Sequence, residues 1–353
     1  MNIVYGHGIS KEVWNWFYQE NPFDYVYCVA DYEKQIVGFM GLSGKPLEIE
    51  REQFQACIAS GLGVHPDFRR QGIFTTLGQH IMREAAKQDI QFCYGFPNDI
   101  ARLGHLKYGW FDVHPSVPAY VKYLTARGFL KSRKVTKILD KLKIPKWLRR
   151  NPITRFFIYL FLKTAGFYHT LKFSVKKVND KLEIVLIDHF DKSFNDFWAK
   201  AWVTRKVVVR RDSKYLNWRY FRKPLGKYVV LAAKKHGEIA GFICILTANQ
   251  KGQRLGHIAD FLTVPHDQAT ANILVQEAIK YLKKQKADAV GCWLLGNNEY
   301  LKVLKHNGFF SASSGRRLMA RINTQEMQKY KPILEKASNW YITLGDADFD
   351  LSI

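Results

Sequence analysis

Acidic residues are scarce in this sequence, and that scarcity limits the classes of molecule that the protein is expected to bind. The 353 residues include 31 Asp and Glu against 54 Lys and Arg, which gives a formal net charge of +23. Such a charge favours polyanionic partners, which are nucleic acid, an acidic membrane surface or phosphorylated small molecules. Because 47% of the residues are hydrophobic and 14% aromatic, the composition excludes a disordered chain and indicates a well-packed globular protein.

Cysteines are few and have no pattern. The five cysteines show no Cys-x-x-Cys spacing, so the sequence predicts neither a zinc site nor a disulfide framework. Met1–Ser10 has no signal-peptide pattern, and no apolar run approaches the roughly 20 residues that a membrane-spanning helix needs. We therefore expect a cytoplasmic protein with reduced thiols and no metal.

The length predicts more than one domain, and an internal repeat supports this. A strand, a loop, a helix, a second strand and a short helix run from Ala56 to Gly109, and the same order recurs from Ala259 to Gly308. The end of the first strand and the closing glycine are 45 residues apart in the first copy and 44 in the second. We predict an N-terminal domain (1–125), a basic connector (126–180), a second domain (181–335) and a C-terminal tail (336–353).

The loop of the first copy is suited to a phosphate group. Arg69-Arg70-Gln71-Gly72 stands directly before a predicted helix, Ile73–Lys87, where unpaired backbone amides and the helix dipole favour an anion. With Val64-His65-Pro66 before it and Lys107-Tyr108-Gly109-Trp110 after it, this segment resembles the acyl-CoA pyrophosphate loop of the GNAT acyltransferase superfamily, R/Q-x-x-G-x-G/A. Phe74 stands where that family usually has Gly or Ala.

The resemblance implies an α/β fold with a mixed sheet, two tandem GNAT-like domains and acyl-CoA as co-substrate. It implies that one strand binds the pantetheine and that the loop binds the pyrophosphate. The residues assigned to acyl-CoA on this basis are Leu62, Gly63, Val64, Arg69, Arg70, Gln71, Gly72, Ile73, Phe74, Thr75 and Asn98. The second copy has Asp267-Gln268-Ala269-Thr270 in place of the loop, so we expect one CoA site per chain.

The resemblance also implies direct acyl transfer to an amine, without an acyl-enzyme. His105 occupies the position of the family's thiolate acid, a Tyr four residues before the closing glycine, and Tyr108 adjoins that glycine. Both are candidate acids, although a His on a short helix is more often structural. The strand that usually carries the base, Ala56–Val64, has Ser60 but no carboxylate or His. A water chain, the substrate itself, Asp260 or no base at all are the alternatives.

Two further stretches suggest the acceptor. Tyr94-Gly95-Phe96-Pro97-Asn98 and Arg211–Tyr220 resemble a bacterial GNAT branch found with amino-sugar and surface-polysaccharide biosynthesis. That resemblance implies transfer to the amino group of a nucleotide-linked amino sugar. Phe96 would contact the sugar or acyl portion, Trp218 would stack on the base and Arg219 would hold a phosphate. A core Trp beside a surface Arg, and a helix N-cap at Asn98, are the structural alternatives.

Two other functions fit parts of the pattern. An aminoacyl-tRNA-dependent peptidoglycan transferase also pairs two GNAT-like domains, but it has no need of the loop at Arg69–Gly72. A basic nucleic-acid-binding protein fits the charge, but the sequence has no RNA-binding aromatic motif or zinc finger, so we expect no nucleic-acid partner. The sequence does not predict an oligomeric state.

Residues 131–177 and the acidic end each allow two interpretations. The first segment holds fourteen Lys and Arg against one acid and includes the apolar run Arg155–Lys163. A connector whose apolar face packs on the protein is favoured, and a helix on an anionic membrane, at its inner face, is the alternative. We expect the end, Trp340–Asp350, to be a solvated tail, with Asp346 and Asp348 as minor candidates for an amine pocket.

Overall fold

Two mixed β-sheets with helices packed against them form the protein. The structure, a computed structural model, describes residues 10–173, 182–250, 252–296 and 299–348. Each sheet contains parallel and antiparallel neighbours. The predicted α/β class with mixed sheets is therefore confirmed.

The elements follow the order that the repeat predicts. The strands are β1 (Tyr25–Tyr32), β2 (Gln35–Ile49), β3 (Glu52–Val64), β4 (Phe92–Gly95), β5 (Phe111–Val113), β6 (Pro118–Tyr123), β7 (Leu182–Ile187), β8 (Val207–Val209), β9 (Val229–Lys235), β10 (Glu238–Gln250), β11 (Gln253–Thr263), β12 (Ala289–Trp293), β13 (Phe310–Ser313), β14 (Leu318–Ile322) and β15 (Trp340–Tyr341). The helices are α1 (Lys11–Phe17), α2 (Ile73–Lys87), α3 (Asp99–Leu106), α4 (Ala126–Lys131), α5 (Arg133–Lys141), α6 (Lys146–Arg150), α7 (Pro152–Lys172), α8 (Ser193–Ala201), α9 (Ser213–Leu216), α10 (Gln268–Lys284), α11 (Glu299–His306) and α12 (Lys331–Leu334). The series β2, β3, α2, β4 and α3 thus recurs as β10, β11, α10, β12 and α11.

The two sheets exchange strands. The first has the order β15-β8-β2-β3-β4-β14-β5, with β1 paired to the N-terminal part of β2, and the second has the order β13-β6-β12-β11-β10-β9-β7. Strand β6 therefore lies in the second sheet, while β8, β14 and β15 from the later part of the chain lie in the first. The predicted boundary at residue 125 divides the chain but does not separate the sheets.

Helix α2 covers one face of the first sheet. It runs from Ile73 to Lys87, as predicted. Leu77, Ile81 and Ala85, spaced four residues apart, are all buried in a cluster with side chains of β1 and β2. The period of its apolar residues therefore determines which face of the helix packs.

Helices α4 to α7 form an arm, residues 126–172, beside the second sheet. Thr170 Oγ1 of α7 donates to the His306 carbonyl of α11 at 3.0 Å, and Phe129 of α4 packs against Phe161. Most other large apolar side chains of α7 are nevertheless exposed. The prediction of a connector whose apolar face packs on the protein is therefore wrong for this helix. Residues 174–177 of the predicted segment lie outside the described residues.

The described end of the chain is buried. Trp340, Tyr341 and Ile342 are at most 1% exposed, and Asp346 is 1% exposed. The prediction of a solvated tail is therefore wrong for residues 340–347, and residues 349–353 lie outside the part of the chain that the structure describes.

Candidate active site

A wedge opens between β3 and β4 in the first sheet. The parallel pairing of these strands ends at Ile58 and Tyr94. Beyond that pair, β3 continues to Val64 alongside β2, with a bulge where Gly61 adopts a φ of +68°. Residues 59–64, which include the predicted pantetheine residues Leu62, Gly63 and Val64, therefore line an edge that no described strand pairs on the β4 side.

The loop after β3 presents a row of free amides. Arg70 and Gly72 adopt left-handed backbone conformations, with φ of +64° and +83°, and successive N–H groups in such a turn form a concave anion site. Within the described residues, no acceptor is bonded to the backbone N–H of residues 70–74. The Thr75 N–H, in contrast, donates to the Gly72 carbonyl at 3.0 Å. Thr75 was expected to offer its amide, and the structure shows that this amide is already used.

The surroundings of this loop suit an acyl-CoA pyrophosphate. Arg69 and Arg70 are exposed, and the first turn of α2 carries no acid. Arg69 Nε donates to the Val64 carbonyl at 3.1 Å, which fixes the arginine beside the end of β3. A Cβ on Gly72 would have no heavy atom within 4 Å. The loop is therefore open, positively charged and rich in donors.

Phe74 joins the two helices that flank the wedge. A Cβ on Gly104 would overlap the Phe74 ring, so the absence of a side chain at Gly104 lets this ring lie on α3. The ring also lies 5.5 Å from that of His105, between centroids. Phe74, which stands where the family usually has Gly or Ala, is thus accommodated by Gly104 on the facing helix.

His105 and Tyr108 form a buried, uncharged pair. The Tyr108 hydroxyl and His105 Nδ1 are 2.5 Å apart, and the two side chains are 6% and 3% exposed. Burial lowers the pKa of His105 from 6.5 to about 4 and raises the pKa of Tyr108. At neutral pH neither residue is poised to exchange a proton. The pair can orient α3 and Phe74 through its hydrogen bond.

Asn98 and Phe96 have structural partners. Asn98 Oδ1 accepts from the Ala101 N–H at 2.8 Å and so caps α3, as the structural alternative predicted. The Phe96 ring lies 6.0 Å from that of Trp293 on β12, between centroids. Phe96 therefore lies where the first sheet meets the second.

Trp218 and Arg219 are interior residues, so the predicted direct contacts with a nucleotide are wrong for this structure. Both are 1% exposed. The Trp218 indole stacks on that of Trp16, with centroids 5.2 Å apart, and its other neighbours include Lys45 Nζ at 4.8 Å from the ring. Arg219 donates to the carbonyls of Gly345 at 2.8 Å and Ala347 at 3.3 Å. Arg219 therefore fixes the end of the chain.

Asp260 is also structural. It is 1% exposed and accepts from Arg211 Nε at 2.9 Å, from the Tyr220 hydroxyl at 2.8 Å and from Thr343 Oγ1 at 3.0 Å. Arg211 Nη2 donates to Asp346 Oδ2 at 2.7 Å. A carboxylate occupied in this way is not available as a base. Its predicted catalytic role is therefore replaced by an anchoring role for the C-terminal segment.

That segment brings a carboxylate to the wedge. The Ser60 hydroxyl donates to Asp348 Oδ2 at 2.7 Å across 288 residues of sequence. Ser60 follows the last β3–β4 pair by two positions, and its carbonyl accepts from the Tyr18 hydroxyl at 3.2 Å. The acidic end of the sequence was the signal for Asp348, but nothing local in the sequence links Asp348 to Ser60.

The wedge of the second copy is filled by the chain itself. Strands β11 and β12 separate after Ile258 and Cys292. The Tyr341 hydroxyl donates to the Phe261 carbonyl of β11, and Ile342 forms a bridge with Leu295. At the helix that follows, Asp267 caps α10 by accepting from the Thr270 N–H at 2.9 Å. In the second copy a carboxylate thus occupies the position that the free amides occupy in the first copy. Of the two loops, the one in the first copy is therefore the one open to an anion.

The described thiols are poor nucleophiles. Burial raises the pKa of both Cys28 and Cys93 to about 11 and also raises the pKa values of the other three. A protonated thiol does not form an acyl-enzyme readily. Within the described part of the chain, no group of three His, Cys, Asp or Glu residues is placed to hold a metal ion.

Solved structures share this fold over most of the chain. A GCN5-related N-acetyltransferase from Anabaena variabilis is 13% identical with a TM-score of 0.57, and the match covers 92% of this chain and 68% of that one. A probable N-acyltransferase from Enterococcus faecalis V583 is 10% identical with a TM-score of 0.58, covering 93% and 69%. Saccharomyces cerevisiae N-myristoyltransferase with bound myristoyl-CoA is 12% identical with a TM-score of 0.53, covering 89% and 70%. The predicted fold of two GNAT-like units is confirmed.

The fold and the site together define a class of enzyme, an N-acyltransferase that uses acyl-CoA. Residues 4–104, which include β3, the amide loop and most of α3, match the acetyltransferase (GNAT) family. A search of curated proteins finds no match. The predicted enzyme class and acyl-CoA donor are confirmed at this level, whereas the amino-sugar acceptor stays a prediction.

Proposed function

We propose that this enzyme transfers an acyl group from CoA directly to the amino group of a nucleotide-linked amino sugar for a surface glycan, in the cytoplasm. The observation that carries the catalytic part is the Asp348–Ser60 hydrogen bond of 2.7 Å at the opening of the β3–β4 wedge. The same strand continues into the amide loop at Arg70–Phe74. A site for the donor and a carboxylate for the amine thus lie along one strand.

In the proposed reaction, acyl-CoA supplies the acyl group as a thioester. The amides of residues 70–74 and the guanidinium groups of Arg69 and Arg70 bind its pyrophosphate. Asp348 accepts a proton from the substrate ammonium, and Ser60 holds that carboxylate by its hydroxyl. The free amine attacks the carbonyl carbon, so that the C–N bond forms, the C–S bond breaks, and the second amine proton goes to the leaving sulfur.

The acceptor assignment rests on charge and on the two sequence stretches that resemble the amino-sugar branch. A net charge of +23 favours a phosphorylated acceptor over a neutral one. In this proposal the N-terminal unit binds the donor, and the second unit helps to form the acceptor side. Trp218 and Arg219 act indirectly there, by holding the segment that carries Asp348.

Donor binding tests the loop assignment. We expect one acetyl-CoA per chain by calorimetric titration, and about 100-fold weaker binding for Gly72→Asp, because the new carboxylate repels the pyrophosphate and charged hydrogen bonds contribute roughly 1.5–3 kcal/mol each. Gly237→Asp is the matched control, since Gly237 shares a φ of +83° and also has no heavy atom within 4 Å of a Cβ. Binding that survives in Gly72→Asp would show that the donor lies elsewhere.

Catalysis tests the role of Asp348. The assay follows thiol release from acetyl-CoA with a panel of nucleotide amino sugars. We expect Asp348→Asn to lower kcat by about 100-fold or more, which is typical of a lost general base, with unchanged acetyl-CoA binding. Asp196→Asn on α8 is the control. An Asp348→Asn variant with the full rate would remove Asp348 from the mechanism, and wild-type enzyme inactive on every amino sugar would refute the acceptor.

A further inference from the structure

The outer face of α7 is apolar and lacks a cover among the described residues. Eight of the helix's 21 residues are large apolar side chains on this face that are 46–66% exposed: Ile153, Phe156, Phe157, Leu160, Phe161, Phe167, Tyr168 and Leu171. Trp147 on α6 and Leu142 at the end of α5 are 68% and 63% exposed. Monomeric proteins rarely leave so large an apolar patch in water, which indicates an interaction surface.

The positive charge around this apolar patch indicates which kind of partner it binds. Residues 131–173 carry twelve Lys and Arg and one acid, Asp140, which pairs with Arg149 at 2.8 Å. Lys172 Nζ lies 5.7 Å from the Tyr168 ring on this face, and Lys163 Nζ lies 5.2 Å from the Tyr159 ring at the inner side of the helix. Aromatic rings edged by lysines are typical of a helix lying in the interface of an anionic membrane. A protein partner would need an acidic surface to complement these positive charges.

A basic cavity lies on the inner side of the same helix. It has a volume of about 830 Å³ and is lined by five lysines: Lys122, Lys163, Lys280, Lys283 and Lys284. No acid occurs among its described lining residues, although Lys280 pairs with Glu277 at 3.3 Å. Burial, together with the charge of Lys283, lowers the pKa of Lys122 to about 8. An anion in this cavity would offset the repulsion among the lysines.

We propose that the arm, residues 126–172, lies in the headgroup layer of an anionic phospholipid membrane, with a lipid phosphate in the lysine cavity. None of the described helices is long and apolar enough to cross a bilayer, and Arg155, Lys163 and Lys172 keep charge on α7. The helix therefore lies along the surface with its aromatic face inserted. This inference does not depend on the acceptor proposed above.

Vesicle sedimentation tests it with the full chain. We expect binding to vesicles of phosphatidylcholine with about one third phosphatidylglycerol, at least about 10-fold weaker binding to pure phosphatidylcholine, and release by salt. The double variant Phe156→Ser/Phe157→Ser should lose at least about 10-fold in binding. Leu186→Ser is the control, because Leu186 is 71% exposed but lies on β7, outside the arm. Lys163→Gln/Lys283→Gln should weaken binding to the anionic vesicles alone.

Acetyl-CoA binding and thermal unfolding, measured for each variant, report that the fold is retained. Absence of sedimentation with anionic vesicles, or binding unchanged by Phe156→Ser/Phe157→Ser, would overturn the proposal. So would a dimer in lipid-free solution that this double variant converts to a monomer, since a second copy would then cover the patch.

Discussion

At the scale of single residues, burial decides which of the titratable groups can carry chemistry. His105 matches the position of a family acid, yet it is 3% exposed and its pKa falls to about 4. Asp348 lies outside residues 4–104, the part of the chain that matches the family, yet it reaches Ser60 at the wedge. The sequence could predict which residue types stand at which spacing. It could not predict which of them are buried, because burial depends on contacts with distant elements.

The buried state of His105 gives a stability prediction. Its pKa is about 4 in the folded chain and 6.5 as the ordinary value, so the unfolded chain binds more protons between these pH values. The stabilisation is therefore complete above pH 6.5 and is lost as the pH falls toward 4. Between pH 7.5 and 4.5 we expect wild type to lose about 2–3 kcal/mol more in free energy of unfolding than His105→Gln.

Urea unfolding at the two pH values measures this difference. His80→Gln is the control, since His80 lies on the exposed side of α2. Equal losses for wild type and His105→Gln would mean that the pKa of His105 is not lowered in the folded chain.

At the scale of helices and strands, the sequence predicted where an element lies in the chain but not which of its faces packs against the rest of the protein. The bounds of α2 were predicted, because its apolar residues repeat at helical spacing and Gly72 ends the loop before it. The strand that leads into the loop was also predicted, although β3 begins four residues earlier than expected, at Glu52. The apolar run of α7 has the composition of a packed helix as well as of a membrane-surface one. Only the structure shows which face it leaves exposed.

The C-terminal segment is the clearest case of an element that the sequence misplaces. Its acids suggest a solvated tail, since charged side chains are mostly exposed to water. The structure instead buries it through Arg211, which binds Asp260 and Asp346, and through Arg219, which binds two backbone carbonyls. The partners within the C-terminal segment lie 126–135 residues from these two arginines in sequence. Charge pairing over that distance has no periodicity to reveal it.

At the scale of the whole molecule, the exchange of strands makes the two units depend on each other. Strand β14 stands between β4 and β5 in the first sheet, and β6 stands between β12 and β13 in the second. The segment carrying Asp348 fills the wedge of the second unit and ends on the first. The repeat predicted two domains with a boundary at residue 125, but a sequence repeat does not show which strands pair.

A fragment ending at residue 125 therefore should not fold into a donor-binding unit. Without β14, β4 and β5 lose the strand between them, and β6 is left without both of its neighbours. Unpaired backbone groups at such edges cost free energy and favour aggregation. We expect the fragment to lack acetyl-CoA binding by calorimetry, and the full chain to unfold in one transition with equal calorimetric and van't Hoff enthalpies. A soluble fragment that binds acetyl-CoA, or two separate transitions in the full chain, would instead show that each unit is stable without the strands of the other.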